Sequence, residues 1–193
     1  MEIIKLTNSE WIETVDRYIR CGTHCIAYGI QDSPVVLTHR KTQVDERICK
    51  ELGYTVYEAF NNGGTILTEA GDVELGHWYA PQNGWRDRFV TFFVKWLKAK
   101  GLNAVYEDND VLVDGYKVCG TCITRYGRID YTGIHIGINT NLDHIIAICR
   151  KPMNKVPKGL SDYGITSEEV EQMFLDFCES DETNYNKGGR KLT

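Results

Sequence analysis

DNDVLVDGYKVCGT, residues 108–121, reads as two short strands folded about an Asp114-Gly115 turn, with one lysine, Lys117, in the middle of the second strand. A charged lysine inside a buried hairpin needs an anion, from the protein or from a ligand. A strand lysine facing solvent is the commoner arrangement and is the alternative reading. Strict alternation would put Lys117 on the same side as Cys119 and Thr121. One strand earlier, Asn109 and Asp110 offer an amide and a carboxylate suited to a nucleotide or its metal ion, or simply an Asx turn within EDND.

Outward from this hairpin, strands are expected at 104–106, 110–113, 116–124 and 128–138, linked by the turn signals Asp114-Gly115 and Tyr126-Gly127. Before them, 84–100 is expected to be a helix with Phe89, Phe92, Phe93, Trp96 and Leu97 on one face and Gly101 as its stop. Nearer the N-terminus the pattern predicts a helix from Asn8 to about position 21, strands at 23–29 and 34–39, a helix at 42–53, and strands at 54–57 and 73–80. After the meander come a short helix at 142–149, the loop RKPMNKVPKGLSDYG, and a helix opened by TSEE at 166–169. This order predicts an α+β fold, a largely antiparallel or mixed sheet with packed helices. The expected organisation is one domain, 1–180, followed by a polar, flexible tail, 181–193.

At 193 residues, 42% apolar and 25% charged, the chain is sized for one domain with a real core. A net charge of -5 argues against a duplex nucleic-acid binder, which needs a basic face. MEIIKLTNSEW has no signal-peptide pattern, and no apolar run reaches membrane-spanning length, so neither nucleic acid nor membrane is an expected partner. Seven scattered cysteines, an odd number, favour a reducing cytoplasm over a disulfide framework.

Other candidates each have a plain alternative. Asn61-Asn62-Gly63-Gly64-Thr65 could present backbone N–H groups to a phosphate or carboxylate, or be an ordinary turn. Cys119 and Cys122 form a CxxC, but in a continuous strand they face opposite ways, which disfavours zinc. Cys149 reads as a small buried hydrophobe or an acyl-carrying nucleophile. The five histidines lack metal-site spacing and read as structural or exposed. Arg150, Lys151, Lys155 and Lys158 lie in a solvated loop or in a lid over an anion.

Taken in order, these motifs resemble the catalytic domain of the lipoate-protein ligases, in the wider superfamily of lipoate and biotin ligases and octanoyltransferases, over roughly residues 35–177. The family's glycine loop is matched by NNGGTILTEAGD. Its N-D-L-x-V-x-G-x-K-x-x-G-S segment is matched by Asn109, Asp110, Val111, Val113, Gly115, Lys117, Gly120 and Thr121. Its later lysine-glycine loop is matched by NKVPKG, with Lys155, Lys158 and Gly159. No segment matches the small accessory domain of some members. Glu58-Ala59 stands where the family usually has an arginine pair, Thr38-His39-Arg40 replaces a family glycine-arginine segment with Arg40 as its displaced substitute, and Asn62 replaces a loop glycine.

The resemblance implies a two-step reaction. Lipoate, octanoate or a related acyl acid reacts with ATP and Mg²⁺ to give an acyl-adenylate, and a lysine of a lipoyl-carrier domain then accepts the acyl group. Lys117 would be the catalytic residue, stabilising charge on carbonyl and phosphate oxygens. Asn62, Gly63, Gly64, Thr65, Asn109, Asp110, Gly120, Thr121, Lys155, Lys158 and Gly159 would bind substrate and nucleotide, with Asp110 toward Mg²⁺. Apolar side chains around the sheet would form an acyl tunnel. Two other readings stay open: a lipoyl or octanoyl transferase using a Cys149 thioester, and a non-catalytic relative that binds a ligand or protein.

Overall fold

The computed structural model describes residues 2–7, 10–11, 14, 17, 25–58, 64–79 and 84–188. Its strands are β1 (Glu2–Lys5), β2 (Cys25–Ile30), β3 (Val35–Thr38), β4 (Thr55–Glu58), β5 (Ile66–Thr68), β6 (Val73–Tyr79), β7 (Ala104–Glu107), β8 (Asp110–Val113), β9 (Tyr116–Tyr126) and β10 (Ile129–Ile136). Its α-helices are α1 (Glu46–Glu51), α2 (Trp85–Ala99), α3 (Leu142–Ile148) and α4 (Ser167–Gly188). A seven-stranded sheet has the order β1-β2-β6-β10-β9-β8-β7, and a three-stranded sheet the order β4-β3-β5. Only β1–β2 and β3–β4 pair in parallel among these strands, so the α+β, largely antiparallel expectation holds.

The meander follows from its turns. Glu107 pairs with Asp110, and Val113 with Tyr116, leaving two-residue turns at Asp108-Asn109 and Asp114-Gly115. All four turn residues have positive φ, from 51° to 84°, the conformation that matches the twist of antiparallel strands. Glycine adopts it without a Cβ penalty, which is why Asp-Gly marks the second turn so clearly.

One face of the large sheet is closed by helices. Trp85, Phe89, Phe93 and Leu97 of α2 and Val170, Met173, Phe174 and Phe177 of α4 pack against Val73, Leu75, Ile134 and Ile136. Phe89 stacks on Trp85 at 5.6 Å and meets Phe177 edge-on at 5.3 Å, the preferred geometries for aromatic quadrupoles. The TSEE capping box forms as expected: Glu169 N donates to Thr166 Oγ1 and Thr166 N donates to Glu169 Oε2.

Several expectations are corrected. The helix expected at 42–53 is shorter, because Val44 is extended and bridges Cys149, and Asp45 caps α1 by accepting from Arg47 N and Ile48 N. β1 and β5 were not expected; both are short edge strands with little periodicity to read. Helix α4 runs to Gly188, and its buried Asp181 is held by Arg88 Nε of α2 at 2.6 Å. The opening helix expected after Asn8 lies mostly outside the described residues. Within it Trp11 is buried against Leu6, Trp78 and Tyr131. Among the described residues no helix is long and apolar enough to cross a membrane.

Candidate functional site

The open face of the large sheet and the small sheet enclose a cleft of about 970 Å³. The small sheet contributes Leu37, Tyr57, Ile66 and Leu67, and the segment after α3 contributes residues 151–155 and Pro157. Lys117 lines the cleft through a β-bulge. Leu112 pairs with Lys117 and Val111 with Cys119, leaving Val118 as the extra residue. Alternation therefore fails here: Val118 and Cys119 both enter the buried core, and Cys119 does not share a face with Lys117 as expected. The CxxC gains no metal geometry, and among the described residues no three His, Cys, Asp or Glu side chains gather as a metal site.

Lys117 Nζ lies 2.8 Å from Asp110 Oδ1, so the anion that the hairpin lysine needs is supplied by the protein. A Cβ built on Gly120 would sit 3.1 Å from Nζ and 3.2 Å from Cε, so the absence of a side chain at Gly120 gives the lysine its path across the strand. The backbone is clamped from the other side: Lys117 N donates to Val156 O and Lys158 N donates to Lys117 O, both at 2.9 Å. Lys155, with 16% of its side chain exposed, donates to Glu107 O at 2.8 Å and has Asp110 Oδ2 at 3.5 Å. Two lysines thus share one carboxylate at the mouth of the cleft.

Along the cleft floor, β9, β10 and β6 bring Gly120, His135 and Glu74 into register. His135 Nδ1 is 2.7 Å from Glu74 Oε1, and its Nε2 is 3.7 Å from Asp72 Oδ2. Burial pulls the imidazolium down, but the Glu74 carboxylate outweighs this and holds His135 above its ordinary value. Burial pushes Glu74 up as well, with His135 offsetting part of it. Asp72 is fixed by backbone donors, Ile138 N at 2.6 Å, Asn139 N at 2.9 Å and Glu69 N at 2.9 Å.

The sequence model of the lipoyl protein ligase A/B catalytic domain matches residues 17–176. The chain belongs to this family. No curated protein matches it in sequence. Among solved structures it is similar to the bipartite lipoate protein ligase from Thermoplasma acidophilum, at 15% identity and a TM-score of 0.76, covering 91% of this chain and 81% of that one. It is similar to a lipoate-protein ligase A bound with ATP, at 16% identity and a TM-score of 0.74, covering 91% and 83%. It is also similar to P. falciparum LipL1 in complex with lipoate, at 14% identity and a TM-score of 0.71, covering 100% of this chain and 64% of that one. At these identities the likeness is one of fold.

Within this ligase-family domain, the residues expected at the site separate into groups. Lys117, Asn109, Asp110, Gly120, Thr121, Gly64, Thr65, Lys155 and Cys149 all line the cleft. Asn62 and Gly63 lie outside the described residues. Asn109 has its amide oxygen occupied by Arg86 Nη1 at 3.0 Å, and its carbonyl accepts from Thr121 N and Oγ1, so these two residues brace the acidic turn. Lys158 is directed elsewhere, over the rings of Tyr163 at 4.5 Å and Tyr116 at 5.3 Å, a cation–π sandwich. Gly159 serves a close backbone approach, since a Cβ there would be 2.3 Å from Ile138 O. Burial raises the Cys149 thiol, away from the thiolate a nucleophile needs.

Glu74 and His135 were not among the expected site residues. A signal for them exists in DYTGIHIGI: Ile134 and Ile136 belong to the helix-covered core, which turns His135 to the other face. Arg40 and Glu58 also line the cleft.

Proposed function

We propose that this protein activates lipoate or a related acyl acid with ATP and transfers the acyl group to a lysine of a lipoyl-carrier domain. The observation that carries the reading is Lys117, a cleft-facing ammonium set over Gly120 and neutralised by Asp110. In the first step a carboxylate oxygen of the acid bonds to the α-phosphorus of ATP and pyrophosphate leaves. In the second, the carrier amine bonds to the acyl carbon, loses a proton, and AMP leaves. Lys117, released from Asp110, donates to the acyl carbonyl and to a non-bridging phosphate oxygen, where negative charge grows in both transition states. Lys155, drawn from the same carboxylate, and Arg40 supply further positive charge. Trp11, Leu37, Ile66 and Ile145 form apolar wall for the acyl chain.

Magnesium would arrive on the triphosphate oxygens, with Asp110 the carboxylate available to it, because the described residues form no cage of their own. The carrier and ATP assignments are supported by relatives studied with an E2 lipoyl domain and with ATP. Six free thiols among the described residues suit a reducing cytoplasm. The deciding measurement is ATP–pyrophosphate exchange dependent on lipoate or octanoate. Exchange that disappears in Lys117→Ala supports the ligase; exchange that persists in that variant rejects Lys117 as the catalytic group. A second reading, a relative that binds without turnover, is favoured by Glu58 on the cleft wall where positive charge is usual in the family. Ligand binding with no exchange would establish it.

A further inference from the structure

The floor of the cleft is built in rows. Sheet register places Gly120, His135 and Glu74 in one row, Cys122, Gly133 and Gly76 in the next, and Thr124, Tyr131 and Trp78 in a third. The Lys117 ammonium sits over the first row, at Gly120. On β9 the lining of the cleft reaches Cys122 but not Thr124, and on β6 it reaches Glu74 but not Gly76. The floor therefore closes at the second row.

What closes it is Tyr131. Gly133 and Gly76 pair across β10 and β6, and two positions without side chains, one beside the other, leave a seat for an aromatic ring lying on the sheet. The Tyr131 ring straddles that seat: a Cβ on Gly133 would lie 3.1 Å from its Cε1, and a Cβ on Gly76 3.2 Å from its Cε2. Its hydroxyl leads, 3.0 Å from the same Cβ position on Gly133, with Cys122 Sγ beside it at 3.1 Å. Trp78 backs the ring with centroids 5.0 Å apart, and Trp11 belongs to the same apolar cluster, so the ring has no room to withdraw. Tyr131 is 4% exposed and still lines the cleft, which makes it a wall. From the Lys117 row to the row its hydroxyl reaches is two residues of strand, about 7 Å.

We infer that Tyr131, seated on the Gly133–Gly76 pair, is the stop that sets the longest acyl chain the cleft accepts. This rests on the acyl-acid reading of the cleft and narrows it. An acid held by its carboxyl group at Lys117 extends along the floor until it meets this ring, and a methylene that no longer fits costs about 10-fold or more in affinity.

The test uses the full chain and the saturated acids from hexanoate to dodecanoate, with lipoate alongside. Calorimetric binding by the unaltered protein is expected to tighten with chain length up to one acid, then to fall about 10-fold or more with the next methylene. Tyr131→Leu, which removes the leading end of the ring, should raise the affinity of that first rejected acid about 10-fold. Gly133→Ala should do the reverse. Its methyl lifts the far end of Tyr131 toward the cavity, so the longest accepted acid should lose about 10-fold while hexanoate is held as before. This second variant keeps the ring and its packing, and it decides the matter where leucine weakens the fold. A length limit unmoved by both variants overturns the inference, as does a limit that moves with Ile66→Ala on the small sheet but not with Gly133→Ala. Affinity that keeps rising to dodecanoate in the unaltered protein overturns it too. ATP–pyrophosphate exchange separates this from the broader reading. Exchange that persists in those cases keeps the ligase and rejects the stop; the expected length shifts without exchange keep the stop and reject the ligase. Failure of every acid to bind rejects both.

Discussion

Along β10, Ile134 and Ile136 enter the aromatic core beneath α2 and α4, while Gly133 and His135, the residues between them, line the cleft. The two faces of the same strands differ in the chemistry they carry. On the helix side every large side chain meets another, and Phe89 alone touches the rings of Trp85, Phe93, Phe174 and Phe177. On the cleft side the chain keeps glycines at Gly120 and Gly133, a lysine balanced by one carboxylate, and a carboxylate paired with a histidine. The contrast teaches that stability and function are divided by the period-two alternation of the sheet, and that substitutions should divide the same way.

That division can be broken by experiment. Lys117→Ala is expected to lower acid-dependent ATP–pyrophosphate exchange about 10³-fold, a little over 4 kcal/mol of transition-state stabilisation, while leaving the urea midpoint almost unmoved. A large loss of stability instead would move Lys117 into the structural half of the comparison. Phe89→Ala should do the opposite, costing about 3–5 kcal/mol in urea unfolding because the four surrounding rings cannot close the void. Gly120→Ala probes the seam between the halves. Its new methyl would displace the flexible end of Lys117 rather than backbone, so exchange should fall roughly 10²-fold with the melting temperature unchanged. Cys149→Ser should have the smallest effect, within about twofold in exchange, because partial burial pushes this half-buried thiol up, away from the thiolate. An acyl adduct on the protein that disappears with this serine would instead restore the transferase reading.

How far the sequence carried is visible in particular residues. The α2 expectation, 84–100, against the observed Trp85–Ala99, came from an apolar stripe that local periodicity dictates and tertiary contacts only confirm. The Lys117 constellation was legible because Asp110, Gly120 and Thr121 lie in one hairpin, where register brings sequence neighbours into contact. The bulge at Val118 was not legible, since an extra residue in a strand leaves the composition of the strand unchanged. The α1 start at Glu46 was missed because Val44 is drawn into a bridge with Cys149, a partner on another element. Lys158 was grouped with Lys155 by proximity in the chain, yet the loop's pairing to β9 sends the two side chains to different neighbours.

Local order in the chain therefore determined the class of fold, the turn chemistry of the meander, the aromatic face of α2, and the lysine on which the proposed chemistry turns. Only tertiary structure decided that Lys117 leans over Gly120 onto Asp110, that Asp181 belongs to the packed body through Arg88, and that Glu74 and His135 meet across 61 positions of sequence. The physical reason is one of range. Propensity, capping and alternation act over a few residues, whereas the pairing of a buried acid with a buried base is a choice among distant strands that only sheet register makes.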